Sequence, residues 1–319
     1  MSRGPGRHGG TYVLLCLPPL FWAGNMVVGR AMRGEIPPVA MTFWRWTIAA
    51  VILLPFVARE LIEHRRAILR AWKLYSVLGL INIAVFNTLC YAGLRYTTAT
   101  NAALLNSTVP VFILLISWLA LREPLSLRQL AGVLLSLLGV VVIIGHGELG
   151  MLVSLRFNAG DVLLLIAMVI WAIYTLLLRW SPLHLSVGAS LGAMVLYGLP
   201  PLAAMYAVEL ASGARFTLTA PGAATLAYYG VFPSVLAYLF YNRGVVEIGA
   251  NRTGVFVHLV PVFGFLLSAL FLHEPPRLYH LVGVACVFCG IWLCTAVGRG
   301  AVSNSHKATG SSSPERTPR

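Results

Sequence analysis

Ten stretches of roughly 20 mostly apolar residues follow one another along this chain, each the length an α-helix needs to cross the hydrocarbon core of a bilayer. They fall at about 11–29, 38–58, 74–93, 98–121, 128–145, 160–179, 185–208, 222–241, 252–272 and 278–297. In lipid, every backbone N–H and C=O must be satisfied within the segment or by a closed barrel, so runs of this length predict helices. Charged pairs and Pro/Gly clusters separate them: Arg33-Gly34-Glu35 with Pro37-Pro38, Arg122-Glu123-Pro124, His146-Gly147-Glu148 and Glu274-Pro275-Pro276. Of the 319 residues, 58% are hydrophobic and 10% charged, with a mean hydropathy of +0.82. A soluble domain carries about 25% charged residues, so soluble enzymes and disordered chains are excluded. The first run lacks an Ala-x-Ala-type cleavage site and reads as a retained span.

A net charge of +13 raises the question of nucleic acid. The basic residues sit between apolar runs rather than on one face, which excludes that partner and points to membrane orientation. With the N-terminus in the cytoplasm, sixteen Lys and Arg fall on the inside, six on the outside, and Arg45 lies within a span. Both termini are therefore expected inside. The segment 59–73 sets Leu61, Ile62, Ile68, Leu69 and Trp72 among basic residues and is expected to lie on the anionic leaflet. Cys286-x-x-Cys289 has redox or metal spacing, but no His or second pair accompanies it. The five cysteines read as inert thiols, and no metal or cofactor is expected.

A shift of 151 positions brings the halves of the chain into register. Gly93 meets Gly244, Pro110-Val111-Phe112 meets Pro261-Val262-Phe263, Glu123-Pro124 meets Glu274-Pro275, and Gly132 and Gly139 meet Gly283 and Gly290. In the first spans a shift of 149 places Trp22-Ala23 on Trp171-Ala172 and Arg30 on Arg179. Five spans per copy is an odd number, so the second copy must enter the membrane from the other side. Inverted repeats permit two conformations of similar energy, one open to each face, which is the basis of alternating access. The expected fold is an all-α membrane protein with ten transmembrane helices as two inverted five-helix repeats. Residues 1–10 form a cytoplasmic N-terminus, 11–145 the first repeat, 146–159 an extracytoplasmic linker, 160–297 the second repeat and 298–319 a disordered cytoplasmic tail.

Trp22-x-x-Asn25, Arg45 in the second span, and the doubled series Pro110–Glu123–Gly132–Gly139 and Pro261–Glu274–Gly283–Gly290 resemble the EamA family of the drug/metabolite transporter superfamily. The resemblance spans Tyr12 to Val297. It implies a ten-helix permease of the bacterial inner membrane that exports amino acids or similar small metabolites through a central cavity. In one respect the chain departs from small multidrug relatives, which carry protons on a glutamate in the first helix. All ten acidic residues here lie at span ends or in loops, which argues against a buried-carboxylate proton relay and for facilitated diffusion or exchange.

The candidate site residues are the polar and aromatic groups inside the spans. Arg45 lies about seven residues into its span, roughly 10 Å deep at 1.5 Å per residue. There it either binds a substrate carboxylate or snorkels to the outer headgroups. Trp22 and Asn25 share a face of the first span, as Trp171 and Tyr174 do in the sixth. They line a cavity or pack between helices. Asn82, Asn87, Tyr91 and Asn101, with Tyr238 in the matching second-copy span, are either cavity lining or interhelical glue. His258 is the one histidine in mid-span; it titrates during transport or is a neutral, hydrogen-bonded core residue. Pro110 and Pro261 are matched mid-span prolines, candidates for hinges or simple kinks, while Glu123 and Glu274 read as caps or loop anchors.

The expected function is therefore a secondary transporter exporting or exchanging small polar metabolites, amino acids foremost. Its partners are a small-molecule substrate and membrane lipid, and it acts as a monomer, not as an enzyme. A channel or lipid scramblase, and less so a membrane-embedded enzyme, are the alternatives.

Overall fold

The computed structural model describes residues 9–31, 35–148, 150, 158–182, 185–271 and 277–296. The start of the N-terminal segment, most of the 146–159 linker, Glu274 and the 298–319 tail lie outside the described residues.

Among the described residues there are helices and no strands, and nine helices are long and apolar enough to cross a membrane. They correspond to the second to tenth apolar runs, from Pro38–Glu63 to Leu278–Thr295. The first run differs: it folds as Gly9–Leu14 followed by Leu17–Ala31, a helix of 15 residues. Pro18 and Pro19 account for the break, because prolines have no N–H to donate back into the preceding turn and are best accommodated in a helix's first turn.

Two further interruptions come in matched pairs. The third span contains a π-helical stretch at Gly79–Phe86, and the eighth contains one at Val231–Leu236; the 151 shift carries one onto the other. The fourth span breaks between Ala99–Asn106 and Val109–Leu121. The ninth breaks at the same relative place, through a 3-10 turn at Val255–His258 ahead of Leu259–Phe271. Pro110 thus occupies the first turn of a new helix rather than kinking a continuous one.

The fifth span, Leu127–Ile144, packs along the tenth, Leu278–Thr295. A Cβ on Gly132 would stand 2.7 Å from the Gly290 carbonyl and the Cys294 amide, and one on Gly139 would stand 2.5 Å from the Gly283 carbonyl. Only glycine admits this backbone approach, the device by which helices pack where lipid supplies no hydrophobic drive. Residue numbers rise along one helix as they fall along the other, so the two run antiparallel. The 151 shift sends Gly132 to Gly283 and Gly139 to Gly290, so each contact maps onto the other with roles exchanged. That is the signature of a two-fold relation between oppositely inserted repeats. A second pair repeats it: a Cβ on Gly79 would meet the Met194 carbonyl at 2.7 Å, and one on Gly230 the Arg45 carbonyl at 3.4 Å.

Candidate functional site

Arg45 is 2% exposed and meets the eighth span at its π-helical stretch. Pro233 has no N–H with which to bond the Tyr229 carbonyl four residues back, and the Ser234 hydroxyl donates to that carbonyl instead, at 2.6 Å. The carbonyl of Pro233 accepts Arg45 Nη2 at 2.8 Å and Trp22 Nε1 at 3.3 Å. Arg45 Nε donates to Ser234 Oγ at 2.5 Å and Nη1 to the Tyr91 hydroxyl at 2.9 Å. Tyr91 in turn donates to Asn25 Oδ1 at 3.3 Å, and the Tyr229 hydroxyl donates to the Asn25 carbonyl at 2.9 Å. One network therefore ties the first, second, third and eighth spans together.

No carboxylate belongs to it. The ion pairs among the described residues are Arg59–Glu63, Arg179–Glu123 and Arg243–Glu247. A guanidinium has five N–H groups, and three of Arg45's are given to protein acceptors. The charge is thus held by neutral partners and by the faces of Trp46 and Tyr229, 5.7 and 6.0 Å from the ring centroids. Deep burial with fixed partners on a second span removes the snorkelling alternative.

The charge borders a cavity of about 80 Å³, several times what one water needs. Trp22, Asn25, Arg45, Asn87, Tyr91, Trp171 and Tyr238 all line it, seven of the expected site residues drawn from both repeats. Phe86, Cys90 and Asn106 join them without having been singled out as site residues. Cys90 and Asn87 are three apart on the helix that carries Tyr91, a spacing that marks one face.

Four expected residues lie elsewhere. Asn82 and Tyr174 are fully buried beyond the aromatic floor of the cavity. There Tyr174 donates to Asn242 Oδ1 at 2.8 Å and Tyr238 to Asn82 Oδ1 at 3.2 Å. The Nδ2 atoms of Asn82 and Asn242 have no partner among the described residues; a buried unpaired amide costs about 1–3 kcal/mol. Trp22 packs edge-on to Trp171 at 5.1 Å, and Trp171 meets Tyr241 at 5.2 Å, closing the floor. Asn101 turns away to a different acceptor, Asp161, donating from Nδ2 at 3.0 and 3.2 Å. Thr97 and the Asn158 amide also donate to that carboxylate, which is 2% exposed within a helix-capping box. Asp161 is thus an acid buried at a span end, clasped by donors from Thr97, Asn101 and Asn158.

His258 is 0% exposed and sits where the broken fourth and ninth spans cross. Its Nε2–H donates to the Ser107 carbonyl at 2.9 Å, and its Nδ1 lies 2.5 Å from the Ser136 hydroxyl, which also reaches the Val133 carbonyl at 3.0 Å. Position 107 becomes 258 under the 151 shift, so the two-fold axis passes close to this contact. Val257 lines the cavity while its neighbour His258 packs behind the wall.

At the far end of the bundle from Tyr91 and Asn25, Glu123 bonds Arg179 at 2.5 Å and accepts from Ser117. Glu123 was expected to be a cap or loop anchor; here it joins one repeat to the other. The Ser117 hydroxyl, and after it Arg179, hold the Glu123 carboxyl below the usual carboxylate range.

Inverted five-helix repeats around a largely apolar and aromatic cavity, lined from both repeats and bordered by a buried cation, define a membrane transporter. Both halves of the chain, residues 10–145 and 158–296, match the model of the EamA-like transporter family, and the protein belongs to that family. An uncharacterized transporter of Archaeoglobus fulgidus is 31% identical over 295 residues, covering 90% of this chain and 97% of that protein. The uncharacterized transporter YyaM of Bacillus subtilis is 27% identical over 300 residues, covering 92% and 96%. A solved crystal structure shares the fold with a TM-score of 0.72 at 19% identity, over 90% of this chain and 96% of that one.

Proposed function

We propose that this transporter exports or exchanges small polar metabolites bearing a carboxylate, by alternating access through the cavity beside Arg45. Amino acids are the leading candidates. The observation that carries the reading is Arg45 itself: a buried cation, bordered by open space, without a carboxylate among its described partners. A charge in the membrane interior is costly and marks a substrate or ion pathway. A substrate carboxylate against the free N–H groups supplies the missing counter-charge in a bidentate-capable geometry.

Trp22, Asn25, Asn87, Tyr91, Trp171 and Tyr238 supply the rest of the lining, an apolar and aromatic surface with a few placed amides. In this reading the protein acts as a monomer in the bacterial inner membrane with both termini in the cytoplasm, and it performs no chemistry on the substrate. The test is counterflow in proteoliposomes loaded with labelled amino acids and other carboxylates, with and without a pH gradient. Saturable counterflow that Arg45→Ala abolishes is the expected result. Non-saturable leak would make the protein a pore, and unchanged counterflow in Arg45→Ala would remove the ligand role.

A further inference from the structure

The open cavity has a counterpart in the second repeat. Positions 25 and 91, whose side chains form the Tyr91-to-Asn25 hydrogen bond of 3.3 Å, map under the repeat shifts to positions 174 and 242. Those positions hold Tyr and Asn, and they form the same bond with the residue types exchanged, Tyr174 donating to Asn242 at 2.8 Å. Trp22 maps to Trp171 and Asn87 to Tyr238.

The two versions differ in access. Asn25 and Tyr91 are half-buried on the cavity, whereas Tyr174 is 0% and Asn242 2% exposed. Asn242 Nδ2, buried and without a partner, lies beside a recess of about 200 Å³ that Ser181 and Ser190 also line. Arg179 lines that recess too and ties its rim to Glu123. Asn82 Nδ2 is also without a partner among the described residues, on a side chain whose Oδ1 accepts from Tyr238 of the open cavity's lining. Unpaired amides are hard to account for in a core that serves one conformation only. They follow naturally where another conformation brings water or a ligand to the same atoms.

We infer that Tyr174, Asn242 and Asn82 form a second half-site, closed in this structure, which opens on the Glu123–Arg179 face as the Tyr91–Asn25 side closes. The inference rests on the alternating-access reading above. Its ligand chemistry is different from that of the open half. The position corresponding to Arg45 is Met194, so Tyr174, Asn242 and Asn82 offer amide N–H and phenol groups that carry no formal charge, and the guanidinium lining the recess, Arg179, is already paired with Glu123. It fits the carboxylate or carbonyl oxygens of the same substrate, held more weakly than by the guanidinium. The chain is therefore chemically asymmetric across the membrane.

The test needs no knowledge of the substrate. In full-length protein with its five cysteines changed to serine, either Cys90 is restored or Asn242→Cys is introduced. The protein is reconstituted in proteoliposomes, and methanethiosulfonate ethylsulfonate, a membrane-impermeant thiol reagent, is added from one face at a time. Asn242→Cys is expected to react only from the Glu123–Arg179 face, several-fold faster when Glu123→Gln weakens that closure. Cys90 is expected to react from the opposite face and to slow in the same background, by a smaller factor because its open conformation is the more populated one. Should Asn242→Cys not fold, Ser190→Cys reports on the same recess. Reaction of either recess cysteine from the Cys90 face, no reaction at all in the Glu123→Gln background, or rates that rise together at both sites would overturn the inference. Reciprocal labelling without counterflow of any carboxylate keeps the half-site and removes the substrate reading; counterflow without reciprocal labelling does the reverse.

Discussion

Arg45 and Ser234 belong to different repeats, and the Nε of one donates to the hydroxyl of the other at 2.5 Å, with both side chains buried. The contact makes the cavity-lining cation part of the seam between the halves. A charge-assisted hydrogen bond contributes about 1.5–3 kcal/mol, or roughly ten- to a hundred-fold in an equilibrium at 1.4 kcal/mol per decade. Arg45→Ala is expected to lower counterflow at least in that range while the protein still elutes as a single species in detergent. Arg45→Lys keeps the charge but lacks the planar fork that reaches Tyr91, Pro233 and Ser234 together, so it is expected to recover only part of the loss. Full activity in the lysine variant would mean that charge alone matters.

The glycine seam makes a prediction about stability rather than transport. A side chain at Gly132 would press on the Gly290 carbonyl at 2.7 Å, and one at Gly290 on the Gly132 carbonyl at 2.5 Å. Neither neighbour is the end of a flexible side chain. Overpacking of this kind costs about 1–3 kcal/mol, so Gly132→Ala and Gly290→Ala are each expected to lower the thermal unfolding midpoint in detergent. Gly150→Ala, where nothing stands within 4 Å, is the control and is expected to leave it unchanged.

The spans and their inverted repetition were legible because lipid dictates both length and composition. The doubled glycines and prolines then gave the register, and Gly132 against Gly290 is that register made physical. Arg45, Trp22, Asn25 and Tyr91 stood out as polar or aromatic groups in hydrocarbon. What was hidden depends on tertiary fit. No local signal marks the π turns at Gly79–Phe86 and Val231–Leu236, so the roles of Ser234 and of the Pro233 carbonyl were invisible. Asn101 looked like cavity lining because its partner, Asp161, sits 60 positions away beyond an intervening span. The first span was read as one helix although Pro18 and Pro19 divide it.

The Glu123–Arg179 pair, which joins the two repeats, is expected to loosen at low pH. The pair is 37% and 46% exposed, so its contribution is that of a surface ion pair, about 0.2–1 kcal/mol. The Ser117 hydroxyl and Arg179 depress the Glu123 carboxyl in this conformation. A group depressed in one state favours that state above its ordinary pKa and ceases to do so as the pH falls through the depressed value. Spin labels at Leu127→Cys and Val246→Cys, exposed positions on the two repeats at this end, report the closure as a distance distribution. Lowering the pH from about 7 to about 3.5 is expected to increase the longer-distance population. Glu123→Gln is expected to show that population already at neutral pH and to shift little on acidification. An equal acid shift in Glu123→Gln would assign the effect to another group.

His258 ties the crossing spans through two hydrogen-bond contacts. The Ser107 carbonyl can only accept, which fixes Nε2 as a donor, while Nδ1 meets the Ser136 hydroxyl at 2.5 Å. Glutamine can reproduce both bonds, an amide N–H to the carbonyl and an amide oxygen for the hydroxyl, without a group that titrates near neutrality. His258→Gln is therefore expected to keep the thermal midpoint near that of the parent and to show counterflow whose pH profile overlays the parental one. His258→Leu strands two buried polar groups, each costing about 1–3 kcal/mol, and is expected to unfold at distinctly lower temperature. A parental pH optimum near 6 to 7, the ordinary range for histidine, that disappears in the well-folded glutamine variant would instead make His258 the site at which protons enter the cycle.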